Sequence, residues 1–435
     1  MAVAAADKAA ASRSAIERIL AGVPLPAMVP VRQSFAASPI GDLAAAVEGA
    51  LADGGLAAMV RPGQRVALAV GSRGLANLPE LVRLLAAAVR RLGAQPFVVP
   101  AMGSHGGATA EGQTQLLAKM GVTEAAVGAP VRASMDVVAL GEAAPGLPAF
   151  GDKLAAQADA TLMLGRVKPH SSFRGRYESG LIKMLAIGLG KQKGAETCHT
   201  RGFGALADRI AAVGKTVLAR GNVAGGLAVV ENARHQTHHV ELVPAAAIPE
   251  REPALLKLAW DLYPRLPFDQ ADVLVLGRVG KEISGTGLDC NVVGRYTTPY
   301  ASGGPDITRI VALDTTPLTG GNVNGIGVVD VTTERLFAKF SFAETYPNAL
   351  TSTATAAVKI PMVMPDDRLA IQAAIRTATI PDPAAVRLAW VRDTLSLDCL
   401  HVSANMAAEV AARPNARVTG PARPLPFTPA RNLDL

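Results

Sequence analysis

The sequence predicts an α/β protein of two domains, each a mainly parallel sheet flanked by helices, with the active site in the interdomain cleft. Three observations predict it. Short apolar runs alternate with apolar-periodic helical stretches, the order that builds parallel sheets. Gly-rich or polar loops follow several of those runs, at the strand ends where open parallel sheets bind ligands. The pattern breaks once, at YPRLPF around residues 264–267, which divides the chain into domains 1–264 and 265–435. At roughly 150 residues per domain, 435 residues suffice for two large domains.

The elements follow in order. Residues 65–71 (RVALAVG) read as a buried strand ending in the turn Ser72-Arg73-Gly74. Pro79 opens a helix that runs to about Leu92 and stops at Gly93. Residues 96–101 form the next strand, and Met102-Gly103-Ser104-His105-Gly106-Gly107 leads from it into a helix near 109–120. A helix at 153–158 and a strand at 160–165 repeat the unit, followed by a long polar loop from Arg166 to Gly180. Residues 203–219 are helical by period, and 227–231 and 238–243 are strands. Beyond the break, strands are expected at 272–277, 308–313 and 325–331. Helices are expected at 332–339, 366–378 and 402–412, with an extended Pro-rich tail from Pro414.

Composition narrows the function classes. Apolar residues make up 49% and charged residues 18%, which excludes a disordered chain. The net charge of +7 with no Lys/Arg-rich run suits a small anionic ligand and argues against nucleic acid as a partner. Cys198, Cys290 and Cys399 lie at no framework or CxxC spacing, as expected of reduced thiols in the cytoplasm. The N-terminal stretch carries Asp7, Lys8, Arg13, Glu17 and Arg18 and reads as a helix, not a signal peptide. No membrane span is expected.

Several residues have the chemistry of a site. His105, His170 and His199 sit in Gly-rich or polar loops, although a lone loop histidine is usually an ordinary polar residue. Lys183 lies among Leu181, Ile182, Met184 and Leu185, where desolvation favours a neutral, nucleophilic amine and snorkelling to water is the alternative. His199 follows 16 residues later. On one continuous helix the two side chains would stand about 160° apart, so they share a site only if the chain turns, for which Gly188, Gly190 and Gly194 provide. His235-x-x-His238-His239 reads as a solvated strand, with no Cys or carboxylate to complete a metal set. The stretch Gly188 to Gly194 looks like a phosphate loop, but Gln192 stands where Ser or Thr should be. Lys281 opens a functional-group-rich loop, residues 280–295.

Taken together these residues resemble the nickel-dependent lactate racemase family, the 2-hydroxyacid racemases and epimerases that use a nickel-pincer nucleotide. The likeness rests on Arg73 after Ser72, His105 within GSHGG, Pro169-His170, Ser179-Gly180 leading to Lys183, and His199. The resemblance implies that Lys183 tethers the cofactor's pyridinium ring through a thioamide and that His199 is the protein ligand to nickel. Ser72, Ser179 and Gly180 would complete the cofactor site. His105 and His170 would be the acid/base pair, Arg73 would orient the substrate, and Lys281 would add a substrate contact. The implied reaction is hydride transfer from the carbinol carbon, which leaves a ketone open to hydride return on either face. The implied partners are a 2-hydroxy acid and cofactor-synthesis proteins.

Three departures touch substrate binding. The turn at Arg73 lacks the acidic residue of the lactate enzymes, Gly106 follows His105 in place of a basic residue, and a longer His170-to-Lys183 interval brings in Arg174 and Arg176. They predict a substrate other than lactate, a sugar acid or diacid. Two alternatives are a metal-dependent hydrolase or lyase with a divalent ion at His105, His170 and His199, and a nonenzymatic binder of an anionic metabolite.

Overall fold

The structure, a computed structural model, describes residues 13–35, 37–72 and 74–434. Its strands, in chain order, are β1 Met28–Gln33, β2 Arg65–Val70, β3 Gln95–Pro100, β4 Val137–Ala144, β5 Leu147–Asp152, β6 Ala160–Arg166, β7 Val223–Glu231 and β8 Thr237–Pro244, then β9 Gln270–Leu276, β10 Asp306–Ala312, β11 Val331–Thr333, β12 Met362–Met364, β13 Leu388–Val391, β14 Cys399–Ser403 and β15 Ala416–Val418. They fall into two units, one of residues 37–263 and one formed by the chain on either side of it.

The 37–263 unit is built on a five-stranded sheet in the order β3-β2-β6-β7-β8. All its pairings are parallel except β7 with β8, a hairpin at one edge. β2 is buried on both faces because each face is covered. Val66, Leu68 and Val70 meet the Leu78–Arg91 helix through Leu81, Leu85 and Val89. That helix has Pro79 in its first turn and Arg90 and Arg91 in its last, the arrangement that suits the helix dipole. On the other face, Ala67, Ala69 and Val99 pack with Leu181, Ile182 and Leu185. The antiparallel pair β4/β5 was not evident from sequence, because β4 is only half-buried and lacks a strict apolar alternation.

The other unit has an eight-stranded sheet in the order β12-β11-β10-β9-β13-β14-β1-β15. Strands β12 to β13 are parallel and the remaining pairings antiparallel. The Asp367–Thr377 helix covers one face with Ile371, Ala374 and Ile375.

Both units therefore have the α/β character expected, and the chain divides at Pro264. The assignment of everything before residue 264 to one domain is corrected. β1 lies between β14 and β15 and is hydrogen-bonded to both, so residues 28–33 complete the C-terminal sheet. Two element assignments change as well. Gly325, at φ +104°, turns residues 326–328 into a 3-10 turn, and the strand is confined to Val331–Thr333. Residues 399–403 form strand β14 through pairing with β13 and β1, leaving only Ala407–Ala411 as α-helix. In the tail, β15 pairs with β1, and Leu425 and Leu433 are buried. Among the described residues no helix is long and apolar enough to cross a membrane.

Candidate functional site

β2, β3 and β6 run parallel, so the loops after Val70, Pro100 and Arg166 leave from the same edge of the sheet. From the first two come Ser72 and His105, whose Oγ and Nδ1 lie 2.5 Å apart. The His105 loop turns through Gly103, Gly106 and Gly107, all at positive φ. Its carbonyls are fixed by Gln113, whose side-chain amide donates to Gly103 O at 2.9 Å and His105 O at 3.2 Å. Gly103 N donates to Gly188 O (3.1 Å), which ties this loop to the segment that follows Lys183. Arg73 lies outside the described residues.

Beneath the loop sits Lys191, fully buried. Its ammonium donates to Pro100 O (2.5 Å) and to Gln113 Oε1 (3.3 Å) and pairs with the Asp152 carboxylate at 2.8 Å. Burial lowers the lysine pKa, and Asp152 opposes that shift. The residue that gave 188–194 its phosphate-loop look is thus an internal clamp joining β3, β5 and the Ala110–Lys119 helix.

The loop after β6 is closed by two backbone bonds between Lys168 and Ser179. Inside it, the buried Glu178 carboxylate accepts from His170 N (2.6 Å). Burial raises the Glu178 pKa, against the opposing His170 N–H and Arg174. His170 Nδ1 accepts from Ser172 N at 3.0 Å, and its ring lies against Phe173 with centroids 4.3 Å apart. The same Phe173 ring has the Lys183 ammonium 5.8 Å from its centroid, so His170 and Lys183 share one aromatic neighbour. Arg174 is engaged by Glu178, by His170 O and by the face of Trp260, and Arg176 by Glu250. Arg174, expected to meet substrate, thus serves the loop itself, and Arg176, expected likewise, forms an exposed pair with the Ile248–Asp261 helix.

Gly180 opens the segment that carries Lys183. A side chain there would collide with Glu252, since a Cβ would lie 2.3 Å from Oε1. Glu252 is buried and accepts from Ile182 N at 2.8 Å, satisfying a donor at the helix start. Burial raises its carboxyl to about 7, against the N–H groups of Ile182 and Leu181. After Leu181–Lys183 the backbone widens into a π-turn over Met184–Gly188, closed by Leu189 N to Met184 O at 2.8 Å. Such turns are rare and concentrate at functional sites. The chain then breaks at Lys191 (φ +53°) and restarts as the Lys191–His199 helix. Gly190 and Gly194 permit the break, because a Cβ on either would lie 2.7 Å from Ala186 O.

That break answers the opposed-face problem of a continuous helix. His199 Nδ1 is buried with no hydrogen-bond partner among the described residues, and its ring stands edge-on to Phe203 at 5.9 Å. Burial pushes the imidazole pKa down to about 4, and the Lys183 ammonium contributes to that shift. Lys183 thus acts electrostatically on His199, and the imidazole stays neutral, the form that ligates metal.

The remaining candidates have other surroundings. Lys281 belongs to the other unit, where Nζ donates to Gly285 O at 2.9 Å. His235 occupies the turn between β7 and β8 at φ +56°, off the strand expected for it. His238 bonds Ser38 O (2.7 Å) and His239 bonds Glu241 (3.1 Å). Among the described residues no three His, Cys, Asp or Glu side chains converge on a metal position, so His105, His170 and His199 form no such cage. The sequence reading overlooked Gln113, Phe173, Glu178 and Glu252 as site-builders. Their roles depend on tertiary neighbours, and only the positions of Phe173 and Glu178 in the long polar loop hinted at them.

Residues 21–209 match the family model described as the lactate racemase N-terminal domain. No curated protein matches the chain. Among solved structures, the lactate racemase apoprotein from Thermoanaerobacterium thermosaccharolyticum is similar in fold, with a TM-score of 0.50 and 13% identity. The match covers 84% of this chain and 94% of that one.

Proposed function

From the premise that this chain is lactate racemase-like, with residues 21–209 matching that family's N-terminal domain, we propose that it is a racemase or epimerase of a 2-hydroxy acid. The observation that carries the reading is His199: a buried imidazole held neutral, its Nδ1 without a partner among the described residues, under the influence of Lys183. That donor set fits the nickel-pincer nucleotide that the resemblance implies. A neutral imidazole would be a suitable protein donor to nickel held beside soft sulfur ligands. His199 would ligate the metal, Lys183 would hold the nucleotide covalently, and Ser72, Ser179 and Gly180 are assigned to its surroundings. When bound, the group supplies a reversible acceptor for hydride from the carbinol carbon.

The chain's own residues handle the proton. Converting a hydroxyl to a carbonyl and back needs a base and an acid at the oxygen, and His105 and His170 are assigned these roles. Ser72 holds the His105 ring through Nδ1, and Ser172 N and Phe173 hold that of His170. Arg73 and Lys281 are assigned to the substrate by the resemblance alone. Arg174 and Arg176 are withdrawn from that assignment because they are engaged within the protein. The proposal of a substrate other than lactate now rests on Gly106 after His105 and on the absence of an acidic residue beside Arg73.

The test is co-production with cofactor-synthesis proteins, followed by mass spectrometry of the Lys183 peptide, nickel analysis and chiral chromatography of a hydroxy-acid panel. Added mass on Lys183, nickel lost in His199→Ala, and interconversion of enantiomers are expected. An unmodified Lys183 under conditions that load a control racemase would overturn the reading. Lactate turned over fastest in the panel would overturn the substrate assignment alone.

A further inference from the structure

The 37–263 unit has a second concave feature, at the amino ends of β2 and β3. Six-residue strands separate it from the Ser72–His105 edge by roughly 17 Å. It is a cleft of about 300 Å³, in the size range of small-molecule sites, and its lining includes Arg65, Arg90, Arg132, Gln95 and Phe97. The three arginines come from separate places. Arg65 starts β2, Arg90 lies in the last turn of the Leu78–Arg91 helix, and Arg132 follows the segment bridged to β3 through Val131.

Each guanidinium is held in place by something other than a carboxylate. Arg90 donates to Gly128 O. Arg65 and Arg132 sit over the Phe97 ring, 5.7 and 5.2 Å from its centroid. Among the described residues none of the three guanidinium groups is in an ion pair, although the Arg65 backbone N–H donates to the Asp159 carboxylate at 2.7 Å. Of the same unit's other arginines, Arg83, Arg91, Arg166, Arg174, Arg176 and Arg251 are in ion pairs, while Arg209 and Arg220, like Arg90, are held by backbone carbonyls; what sets the cleft apart is that three guanidinium groups line it together. Converging like charges repel and gain nothing from one another, and preorganised guanidinium forks match phosphate oxygens. Phe97 is buried and engaged by two cations, so its ring is not a platform for a flat base. Recognition there is by charge.

We propose that this cleft binds a small phosphate-bearing anion, with a diphosphate group as the best match to three cations. The site is separate from the reaction edge and does not depend on the racemase reading. Inorganic pyrophosphate titrated calorimetrically into the full chain, at low salt and again near about 0.15 M, tests it. The expected result is one saturable site, with inorganic phosphate and sulfate at least about tenfold weaker. Arg65→Ala/Arg132→Ala should weaken pyrophosphate at least about tenfold, and Arg132→Lys, which keeps charge but loses the fork, by less. Arg220→Ala, elsewhere on the unit, should bind as the parent does. The parent's thermal midpoint should be retained by each variant without ligand. No saturation, equal binding of sulfate, or a double variant that titrates like the parent would overturn the proposal.

Discussion

The two histidine loops leave the same edge of one sheet but are built on opposite principles. His105 leans on a hydroxyl: Ser72 Oγ can donate to Nδ1 or accept from it, so the ring can adopt either tautomer. His170 leans on the main chain: Ser172 N can only donate, so Nδ1 is fixed as the acceptor and a neutral ring carries its proton on Nε2. The supports differ in kind as well. The His105 loop is gripped at its carbonyls by Gln113, itself bonded to the buried Lys191, whereas the His170 loop is gripped at an N–H by the buried Glu178 carboxylate. One imidazole thus rests on a group that can donate or accept, and the other has its Nδ1 held as an acceptor. The two members of the assigned acid/base pair are not interchangeable.

The largest effect that would break this comparison is on turnover. In the cofactor-loaded enzyme, His105→Asn and His170→Asn should each lower kcat by about 10²–10⁴-fold, the usual worth of a general acid or base. Wild-type rate in either variant removes that residue from the pair. Next comes Lys191→Met, which strips the His105 side of its clamp and leaves Asp152 buried without its cation. Urea unfolding should show a loss of about 3–5 kcal/mol, most of it regained in Lys191→Met/Asp152→Asn. A double variant as unstable as the single one would mean that the bonds to Pro100 and Gln113 matter more than the charge.

The segment around Lys183 sharpens the comparison through pH. Between about 4 and 6.5 the unfolded chain protonates His199 while the folded protein excludes that proton, so this group's stabilisation is lost on acidification. Between 4.5 and about 7 the folded protein retains a proton on Glu252 that the unfolded chain releases, so its contribution is lost as pH rises. Each is worth up to about 3 kcal/mol. Denaturation series across pH 4–7 should show His199→Leu relatively resistant to acid and Glu252→Gln relatively improved toward neutrality. Parallel curves for both variants and the parent would contradict the burial assigned to these groups. The smallest effect is Ser72→Ala, which removes one hydrogen bond worth about 1 kcal/mol. It should shift the pH–rate profile through His105, whereas Phe173→Leu should act on the His170 side.

Much of this was legible in the sequence, for identifiable reasons. The β2–helix–β3 unit announced itself because both strands are apolar runs and Pro79 and Gly93 mark the helix between them. Gly188, Gly190 and Gly194 signalled the turn that Lys183 and His199 require, although the π-turn itself leaves no local signature. What stayed hidden depends on distant partners. Met28–Gln33 is six residues with a proline inside, and it becomes a strand only because residues 399–403 and 416–418 flank it. Glu252 reads as one acid in a charged stretch until folding brings it under Gly180.

The placement of β1 sets what may be cut. Residues 37–263 form an uninterrupted span, whereas a fragment beginning at Pro264 would lack an interior strand of its own sheet. It would bare the facing edges of β14 and β15 to any strand that came along, the usual opening for aggregation. Removing residues 28–33 is therefore surgery on a sheet otherwise built from the other end of the chain.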